Sequence, residues 1–462
     1  MKRNRKLTRT VAQTMAALLV CPLSMQPAIA GDYVPSSGGM APTIATLGST
    51  TTPIKHVVFI QKENRSFDEY FGQFPGANGA TTGKMSNGTT VTLAQTPDPM
   101  PNDIDHSPGA WARAYALGKM NGFDREFGAF SSTGQPLAYS QMSESQIPNY
   151  WQYARTYALG DNMFANFKGA SFANTLFMTA GQAGEFDSTL HNRSVFHVPQ
   201  SPSIPPLPTW GCDNPPDTYV EMLGPSNTVT QKRPCFNFNS MPQELQANGI
   251  SWRFYADRNA PSWVHVSVDA LAPVRFDPAK WSNVVSLSQL YTDAANGTLP
   301  AVSWVEGDHS EHPPSSACQG ENESVQMINA IMNGPDWAST AIVISYDEWG
   351  GFYDHVAPPQ PSYVSYGFRV PLLVISPYTK VGSSSNGGYI SHTLYSFASV
   401  LKFIEVNWSL PSLGARDATS NDMTDLFDFA APQRPALLLQ QRTCPGVTPA
   451  IQNLANLAEQ SG

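Results

Sequence analysis

Residues 56–68, HVVFIQKENRSFD, join a short apolar run to a group of charged and amide side chains. The run His56–Ile60 has the continuous Val, Ile and Phe composition of a strand that is buried on both faces. Two later runs, Ala341–Ser345 and Val370–Ser376, have a similar composition. Helical patterns accompany these runs at 147–157, 324–332 and 392–406. Such alternation predicts an α/β fold with a mostly parallel central sheet.

The composition narrows the class of protein. The chain has 462 residues, of which 41% are hydrophobic and 14% charged, and its formal net charge is −9. Such a chain can bury a large core, and it is neither a coiled coil nor a disordered chain. The acidic charge gives no electrostatic reason to bind nucleic acid, so we expect no nucleic-acid partner. The 34 Gly and 39 Pro residues predict long loop insertions, notably at 75–103 and 198–235.

The N-terminus predicts export. Residues 2–9 carry five basic side chains and no acid, an apolar run follows at 15–23, and Ala28–Ala30 fits a cleavage site. This pattern is typical of a signal peptide over 1–30, which places the mature protein in a secreted or periplasmic location. We expect a flexible arm over 31–53, one catalytic domain over 54–462, and no transmembrane segment.

Four cysteines remain after cleavage: Cys212, Cys235, Cys318 and Cys444. An exported protein folds in an oxidising compartment, so two disulfides are expected. The pairing of Cys212 with Cys235 is favoured because both flank a Pro-rich loop. The sequence alone leaves three pairings open.

Polar side chains follow two of the predicted strands directly. Glu63 and Asn64 come after the first strand, and Asp347 and Glu348 come after the strand Ala341–Ser345. The carboxyl ends of parallel strands meet at one edge of a sheet, where function collects. Oxygen ligands of this kind suit a divalent metal ion. Either pair alone is also explained by capping of a turn or helix, but the same pattern at two strand ends favours a metal.

Histidines lie near the same strand ends. His309 and His312 follow the apolar run 299–305, and Asp354 and His355 follow Glu348 at a short distance. His106 lies in the stretch DIDHSPG, before a helical pattern. Histidines can bind the oxygens of a phosphate and can protonate a leaving group.

Ser171 is the candidate nucleophile. Gly169 permits a tight turn before it, and a helical pattern begins at Phe172. A serine at a helix N-terminus lies beside free N–H groups that favour an anion. The alternatives are a plain N-cap serine and an incomplete G-x-S-x-G elbow, in which Ala173 replaces the last glycine.

Several of these stretches resemble the bacterial phospholipase C and acid phosphatase family of phosphoesterases. ENRSFD at 63–68 is similar to the family motif of that sequence, and DEWGGFYDHV at 347–356 resembles its DExxGxxDHV motif. Asp105–His106 with 118–123, and Glu311–Pro313, resemble two shorter motifs. The resemblance spans about residues 54–410.

The resemblance implies an alkaline-phosphatase-like three-layer α/β/α sandwich with one bound divalent metal ion. It implies metal ligands at Glu63, Asn64, Ser171, Asp347 and Glu348. It implies catalytic roles for Ser171, His106, His312, His355 and Asp354. Substrate contacts are expected at His309 and Asn174. The chain has Ser171–Thr175 where the family often has Thr-x-Pro-Asn-Arg, a change that keeps the hydroxyl group.

The implied reaction is hydrolysis of a phosphoric ester through a phosphoserine. An acid phosphatase acting on small phosphomonoesters is the first choice, because the chain ends soon after the predicted catalytic core. A phospholipase C acting on a phospholipid is the runner-up. A metal-independent serine carboxylesterase and a non-catalytic binding protein are the alternatives from other classes. The sequence leaves the metal's identity and the oligomeric state open.

Overall fold

An eight-stranded sheet forms the centre of the protein. The computed structural model describes residues 47–169, 171–187, 195–199, 210–223, 229–258, 265–360, 366–382 and 388–446. In chain order the strands are β1 (His56–Lys62), β2 (Ala158–Gly160), β3 (Trp252–Tyr255), β4 (Val284–Val285), β5 (Val302–Glu306), β6 (Thr340–Tyr346), β7 (Leu372–Ile375) and β8 (Tyr389–Ser391). Their spatial order is β4-β3-β5-β1-β6-β7-β2-β8.

The sheet is mostly parallel, as predicted, with one exception. Strand β7 lies within the run predicted at Val370–Ser376, and it pairs antiparallel with both β6 and β2. The other pairings in the sheet are parallel. Parallel neighbours need a crossover, usually a helix. The described residues of 347–371, which connect β6 to β7, contain no helix, and the chain returns antiparallel.

Eleven α-helices are found in the described part of the chain. They are α1 (Phe67–Phe71), α2 (Pro108–Tyr115), α3 (Pro148–Thr156), α4 (Ser171–Ala180), α5 (Met241–Ala247), α6 (Ala272–Arg275), α7 (Pro278–Trp281), α8 (Leu287–Asn296), α9 (Ala317–Asn333), α10 (Phe397–Trp408) and α11 (Ala415–Ala418). Short 3₁₀ turns lie at Ala116–Gly118, Phe123–Arg125, Leu137–Tyr139, Ser267–Ala270, Pro335–Ser339 and Thr424–Leu426.

The three predicted helices exist with shifted ends. Helix α3 matches the prediction to within a residue at each end, whereas α9 begins seven residues early (324 − 317). Ser316 caps α9 by accepting a hydrogen bond from the Gln319 N–H, 3.4 Å away. Helix α10 begins late because Tyr395–Ser396 first pairs with Met163–Phe164 as a short strand.

Helices cover both faces of the sheet. Trp304 of β5 donates from Nε1 to the carbonyl of Met178 in α4, 3.0 Å away. Trp304 pairs with Phe59 of β1, so both side chains lie on one face. Lys62, three residues after Phe59, points to the other face and contacts Glu323 of α9. This confirms the predicted three-layer α/β/α arrangement.

The predicted loop insertions contain small sheets of their own. Within 75–103, Thr82–Lys84 and Thr90–Thr92 form a hairpin, and Ala94–Gln95 pairs with Ser140–Gln141. The strands Glu185–Asp187, Val195–Pro199, Val220–Leu223 and Val229–Lys232 form a separate four-stranded antiparallel sheet. Cys212 is bonded to Cys235, as favoured, and Cys318 is bonded to Cys444.

The predicted signal peptide and most of the predicted arm lie outside the described residues. The described end of the arm, residues 47–53, forms hydrogen bonds with the end of α10. The Thr51 N–H donates to the carbonyl of Asn407, and Trp408 Nε1 donates to the carbonyl of Leu47. The described helices include none with the length and hydropathy needed to cross a bilayer.

Candidate active site

Two adjacent strands bring four of the five predicted metal-ligating residues together. β1 and β6 run parallel with Lys62 opposite Tyr346, so Glu63 and Asp347 leave the sheet side by side. The Asp347 N–H donates to the carbonyl of Lys62 across 2.9 Å. Gly350 has a φ of +60°, and a Cβ there would lie 2.3 Å from the carbonyl oxygen of Asn64. Glycine therefore lets the loop after β6 lie directly on Asn64.

The acids of this group repel one another. Burial, reinforced by the charge of Glu348, raises the pKa of Glu63 well above its usual range. Burial and the charge of Glu63 do the same to the pKa of Asp347. Burial raises the pKa of Glu348 to about 8, although the charge of His106 opposes it. Buried carboxylates in this proximity favour a cation between them.

Buried oxygen atoms without partners support the same interpretation. Among the described residues, no hydrogen bond of ordinary geometry reaches Glu63 Oε2, Asn64 Oδ1, Ser171 Oγ, Asp347 Oδ2 or Glu348 Oε2. Buried polar atoms normally have a partner, so a group of orphaned oxygens needs an explanation. Carboxylate, amide and hydroxyl oxygens are ligands of hard divalent cations. The residues present therefore fit the implied metal ion.

Ser171 is the first residue of α4 and is fully buried. Its hydroxyl lies close enough to Asp347 to oppose the rise in that group's pKa, although no hydrogen bond of ordinary geometry joins them. Gly169 has a φ of +76°, and a Cβ there would lie 2.6 Å from the carbonyl oxygen of His106. Glycine at 169 thus allows the turn before Ser171 to pack against His106.

Two of the predicted histidines lie together. The rings of His106 and His312 meet edge to face, with centroids 5.3 Å apart. His106 Nδ1 donates to the carbonyl of Ile104 across 2.6 Å, while its Nε2 lies 3.6 Å from Glu348 and 3.4 Å from the Asn64 amide. His312 Nδ1 donates to the carbonyl of Pro313, and its buried Nε2 has no hydrogen-bond partner in the described part of the chain.

The two rings differ in protonation. Burial lowers the pKa of His106, but the charges of Glu348 and Asp103 outweigh it and raise the pKa to about 9. Burial lowers the pKa of His312 to about 4, with only partial opposition from Asp103. When His106 is protonated its Nε2 hydrogen faces Glu348, and when His312 is neutral, with Nδ1 as the donor, its Nε2 offers a lone pair.

His265 lies beside the same group, although the sequence pattern at the strand ends does not predict it. Its Nδ1 lies within hydrogen-bonding distance of Glu63 Oε1 and 4.0 Å from Glu306 Oε1. All three side chains are buried, and together they form a group that could hold a metal ion. Asp103, His106 and His312 form another such group. His265 lies ten residues beyond β3 (265 − 255), and no local pattern marks it.

Asp354 and His355 lie in a separate ion-pair network. Arg369 Nε donates to Asp354 Oδ1 across 3.0 Å, and Arg369 Nη2 donates to Asp68 Oδ1 across 3.1 Å. His355 Nδ1 lies 2.6 Å from Asp68 Oδ2. Burial raises the pKa of Asp354 to about 6 against the opposing charge of Arg369. Within the described part of the chain, no side-chain hydrogen bond or ion pair joins this network to His106 or to Glu63.

The two expected substrate contacts have other partners in this structure. Asn174 spans the loop before Ser171, because its Oδ1 accepts from the N–H of Phe167 at 2.9 Å and its Nδ2 donates to the same residue's carbonyl. His309 lines a cavity of about 450 Å³ together with Asp257, Tyr291, Asp308 and Glu323. Its carbonyl accepts a hydrogen bond from Lys62 Nζ.

Several known proteins with similar sequences are named phospholipases C. Phospholipase C B of Mycobacterium tuberculosis is 26% identical over 474 residues, which covers 88% of this chain and 83% of that protein. The hemolytic phospholipase C of Pseudomonas aeruginosa is 25% identical over 457 residues, which covers 82% of this chain and 56% of that protein. The non-specific phospholipase C1 of Arabidopsis thaliana is 24% identical over 87% of this chain.

Solved structures offer only a distant likeness. The lipoteichoic acid synthase LtaP of Listeria monocytogenes superposes with a TM-score of 0.35 at 8% identity, covering 80% of this chain and 76% of that one. The model of the phosphoesterase family matches residues 54–411, close to the span of the motif resemblance. The chain therefore belongs to the phosphoesterase family, and it is homologous to bacterial phospholipases C.

Proposed function

We propose that the protein is an exported, metal-assisted phospholipase C that cleaves a phospholipid headgroup ester through Ser171. Membership of the phosphoesterase family supports hydrolysis of a phosphoric ester. The relatives named phospholipase C favour a phospholipid over the small phosphomonoester that was the first choice from the sequence. The two disulfides support export to an oxidising compartment.

The observation that carries the proposal is the convergence of Ser171 with four oxygen-bearing side chains. Glu63, Asn64, Asp347 and Glu348 would hold the metal ion with the Ser171 hydroxyl as a further ligand. A divalent cation there would lower the pKa of the serine hydroxyl and offset charge on the phosphate.

The side chains supply the remaining steps. Ser171 Oγ attacks phosphorus in line and passes its hydroxyl proton to Nε2 of neutral His312, so that an Oγ–P bond forms and the bond to the leaving alcohol breaks. His106 donates its Nε2 proton to that alcohol, here a diacylglycerol. Water then attacks the phosphoserine and gives a proton to His106 Nε2, while His312 returns its proton to Ser171 Oγ as the Oγ–P bond breaks. The N-terminus of α4 favours the negatively charged oxygens of a phosphate.

The roles of the remaining predicted residues follow from their contacts. Asn174 holds the turn before Ser171, which supports a positioning role. The ion pairs of Asp354 and His355 with Arg369 and Asp68 support a role in placing the loop after β6. Asp354 and His355 are therefore not among the residues that we propose to touch the substrate.

The test is hydrolysis of phosphatidylcholine vesicles by the purified mature protein, with Ser171→Ala beside it. We expect the wild type to release diacylglycerol and phosphocholine, and Ser171→Ala to release neither. Ser286→Ala, an exposed serine before α8, is the matched control and should behave as the wild type. Diacylglycerol release by Ser171→Ala at the wild-type rate would refute the nucleophile. Hydrolysis of phosphomonoesters alone would return the protein to the acid phosphatase interpretation.

A further inference from the structure

A buried carboxylate that the proposed chemistry does not use lies directly before His312. Glu311 is fully buried, and three phenol hydroxyls and one ammonium group surround its carboxylate. The hydroxyls of Tyr70, Tyr150 and Tyr346 lie 2.5, 2.6 and 2.8 Å from it, and Lys62 Nζ lies 3.3 Å from it. A fully hydrogen-bonded network of this kind fixes the position of each of its members.

Two of these partners end the strands that carry the candidate metal ligands. Lys62 is the last residue of β1 and is followed by Glu63. Tyr346 is the last residue of β6 and is followed by Asp347. One carboxylate thus joins both strand ends to the residue before His312. Displacement of Glu311 would move three parts of the candidate site relative to one another.

The backbone around Glu311 is held in an unusual conformation. Glu311 has a φ of +81°, which lies in the left-handed region that non-glycine residues rarely adopt. Arg65 Nη2 donates to its carbonyl across 2.7 Å, and the Glu63 N–H donates to the carbonyl of Ser310 across 2.8 Å. Such conformations persist where the surroundings determine them, and they concentrate at functional sites.

The protonated phenols and the ammonium group around Glu311 are the partners that a buried carboxylate requires. Burial and the charge of Glu311 raise the pKa of the Tyr346 phenol well above its usual range, so the hydroxyl keeps its proton and donates. Burial followed by the charge of Glu311 has the same effect on the pKa values of Tyr70 and Tyr150. Lys62 is also fully buried and supplies the positive charge that a buried carboxylate needs.

We infer that Glu311 is a positioning residue, which fixes the loops bearing Glu63, Asp347 and His312 in a single arrangement through Lys62 and Tyr346. This inference rests on the proposed function of those loops. The competing explanation is that Glu311 only stabilises the fold. The two explanations differ in what the loss of each tyrosine hydroxyl should do.

The experiment compares Tyr346→Phe with Tyr150→Phe, and includes Glu311→Gln. Both tyrosine variants delete one hydroxyl that donates to Glu311. Only Tyr346 adjoins a candidate metal ligand, whereas Tyr150 lies on α3. Tyr150 also contacts Ser324 Oγ at 2.8 Å, so its variant loses at least as many contacts. The readouts are kcat and KM on p-nitrophenyl phosphorylcholine, Mn²⁺ affinity by calorimetry and the midpoint of urea unfolding.

We expect Tyr346→Phe and Glu311→Gln to lose about 10- to 100-fold in kcat or Mn²⁺ affinity, as supporting partners of metal ligands do. Their KM should stay near that of the wild type. Tyr150→Phe should keep wild-type kcat and Mn²⁺ affinity even though its urea midpoint falls. Equal losses of kcat and affinity in both tyrosine variants would overturn the inference, as would unchanged values in Glu311→Gln.

The failure of the proposed function gives a different result. A wild-type protein without chelator-sensitive hydrolysis would refute the proposed function, and the Mn²⁺ affinities would still decide the role of Glu311. If Glu311→Gln does not fold, the comparison of the two tyrosine variants decides alone.

Discussion

Replacing Glu348 with glutamine should remove one contribution to the pH dependence of stability of the metal-stripped protein, while Glu63 and Asp347, whose pKa values are also raised, keep theirs. Glu348 is fully buried beside Asp347, and its pKa is raised to about 8 from an ordinary value of 4.5. A carboxyl group with a raised pKa binds its proton more tightly in the folded state than in the unfolded state. The free energy of unfolding therefore falls as the pH rises above the pKa that the group has in the unfolded state. The fall levels off once the pH exceeds the pKa that the group has in the folded state.

The size of the effect follows from the shift. The difference 8 − 4.5 is 3.5 pKa units, and at about 1.36 kcal/mol per unit the ionised group costs about 5 kcal/mol. Most of that loss falls between about pH 5 and about pH 8. A divalent cation that binds only the folded state should offset it, by about 4 kcal/mol at a thousandfold excess over Kd.

The assay is urea unfolding of EDTA-treated protein at several pH values in that range, followed by tryptophan fluorescence. The free energy of unfolding of the wild type should fall with rising pH, and that of Glu348→Gln should fall by about 5 kcal/mol less over the same range. Glu221→Gln, at an exposed strand position, should follow the wild type. Addition of Mn²⁺ should flatten the wild-type curve. Parallel curves for the wild type and Glu348→Gln would refute the electrostatic account of the site.

Three further predictions concern single features of the chain. Ser171→Ala should lower kcat by at least about 10³-fold without changing the urea midpoint, because it removes the nucleophile; a smaller loss would assign the attack to another group. Gly169→Ala should lose about 1–2 kcal/mol of stability and much of the activity, because φ there is +76° and a Cβ would meet the carbonyl of His106; unchanged thermal unfolding and turnover would contradict this. Replacement of both Cys318 and Cys444 by serine should lower the free energy of unfolding by up to about 5 kcal/mol, since their bond closes a loop of 126 residues. The kcat of that variant should be unchanged, and an intact urea midpoint would be the contrary result.

The sequence predicts those site residues that lie next to a strand or helix with a recognisable pattern of its own. Glu63 and Asp347 lie within three residues of the ends of continuous apolar runs, and the parallel pairing of those runs brings their ends to one edge of the sheet. The helical pattern after Gly169 similarly predicts Ser171 at a helix start. In each case one short stretch of sequence contains both the strand or helix and the site residue at its end.

The remaining placements depend on contacts between distant parts of the chain. His265 reaches Glu63 from a segment that no strand or helix pattern points to. His355 lies only seven residues after Glu348, but Gly350 and Gly351 have positive φ values, and the chain beyond them turns toward Asp68. The antiparallel direction of β7 likewise goes with a connection from β6 whose described residues form no crossover helix, and the composition of β7 itself does not encode that direction.

The hydrogen-bond network around Glu311 also depends on contacts between distant parts of the chain. The stretch Glu311–Pro313 is visible as a motif, and its histidine draws attention because of its chemistry. The role of the glutamate becomes visible only when Tyr70, Tyr150 and Tyr346 are brought to it from two helices and a strand. Aromatic residues at such positions are expected core residues, and their hydroxyls give no separate pattern in the sequence.

The central claim is that Ser171 and a metal held by Glu63, Asn64, Asp347 and Glu348 cleave a phospholipid-type phosphodiester. Its most direct test is the hydrolysis of p-nitrophenyl phosphorylcholine and p-nitrophenyl phosphate by the purified mature protein, with and without EDTA. We expect faster cleavage of the choline diester than of the monoester, loss of that activity in EDTA, and its return with added divalent metal. Cleavage of either ester that EDTA leaves unchanged would contradict the metal assignment, and preference for the monoester would contradict the phospholipase C assignment.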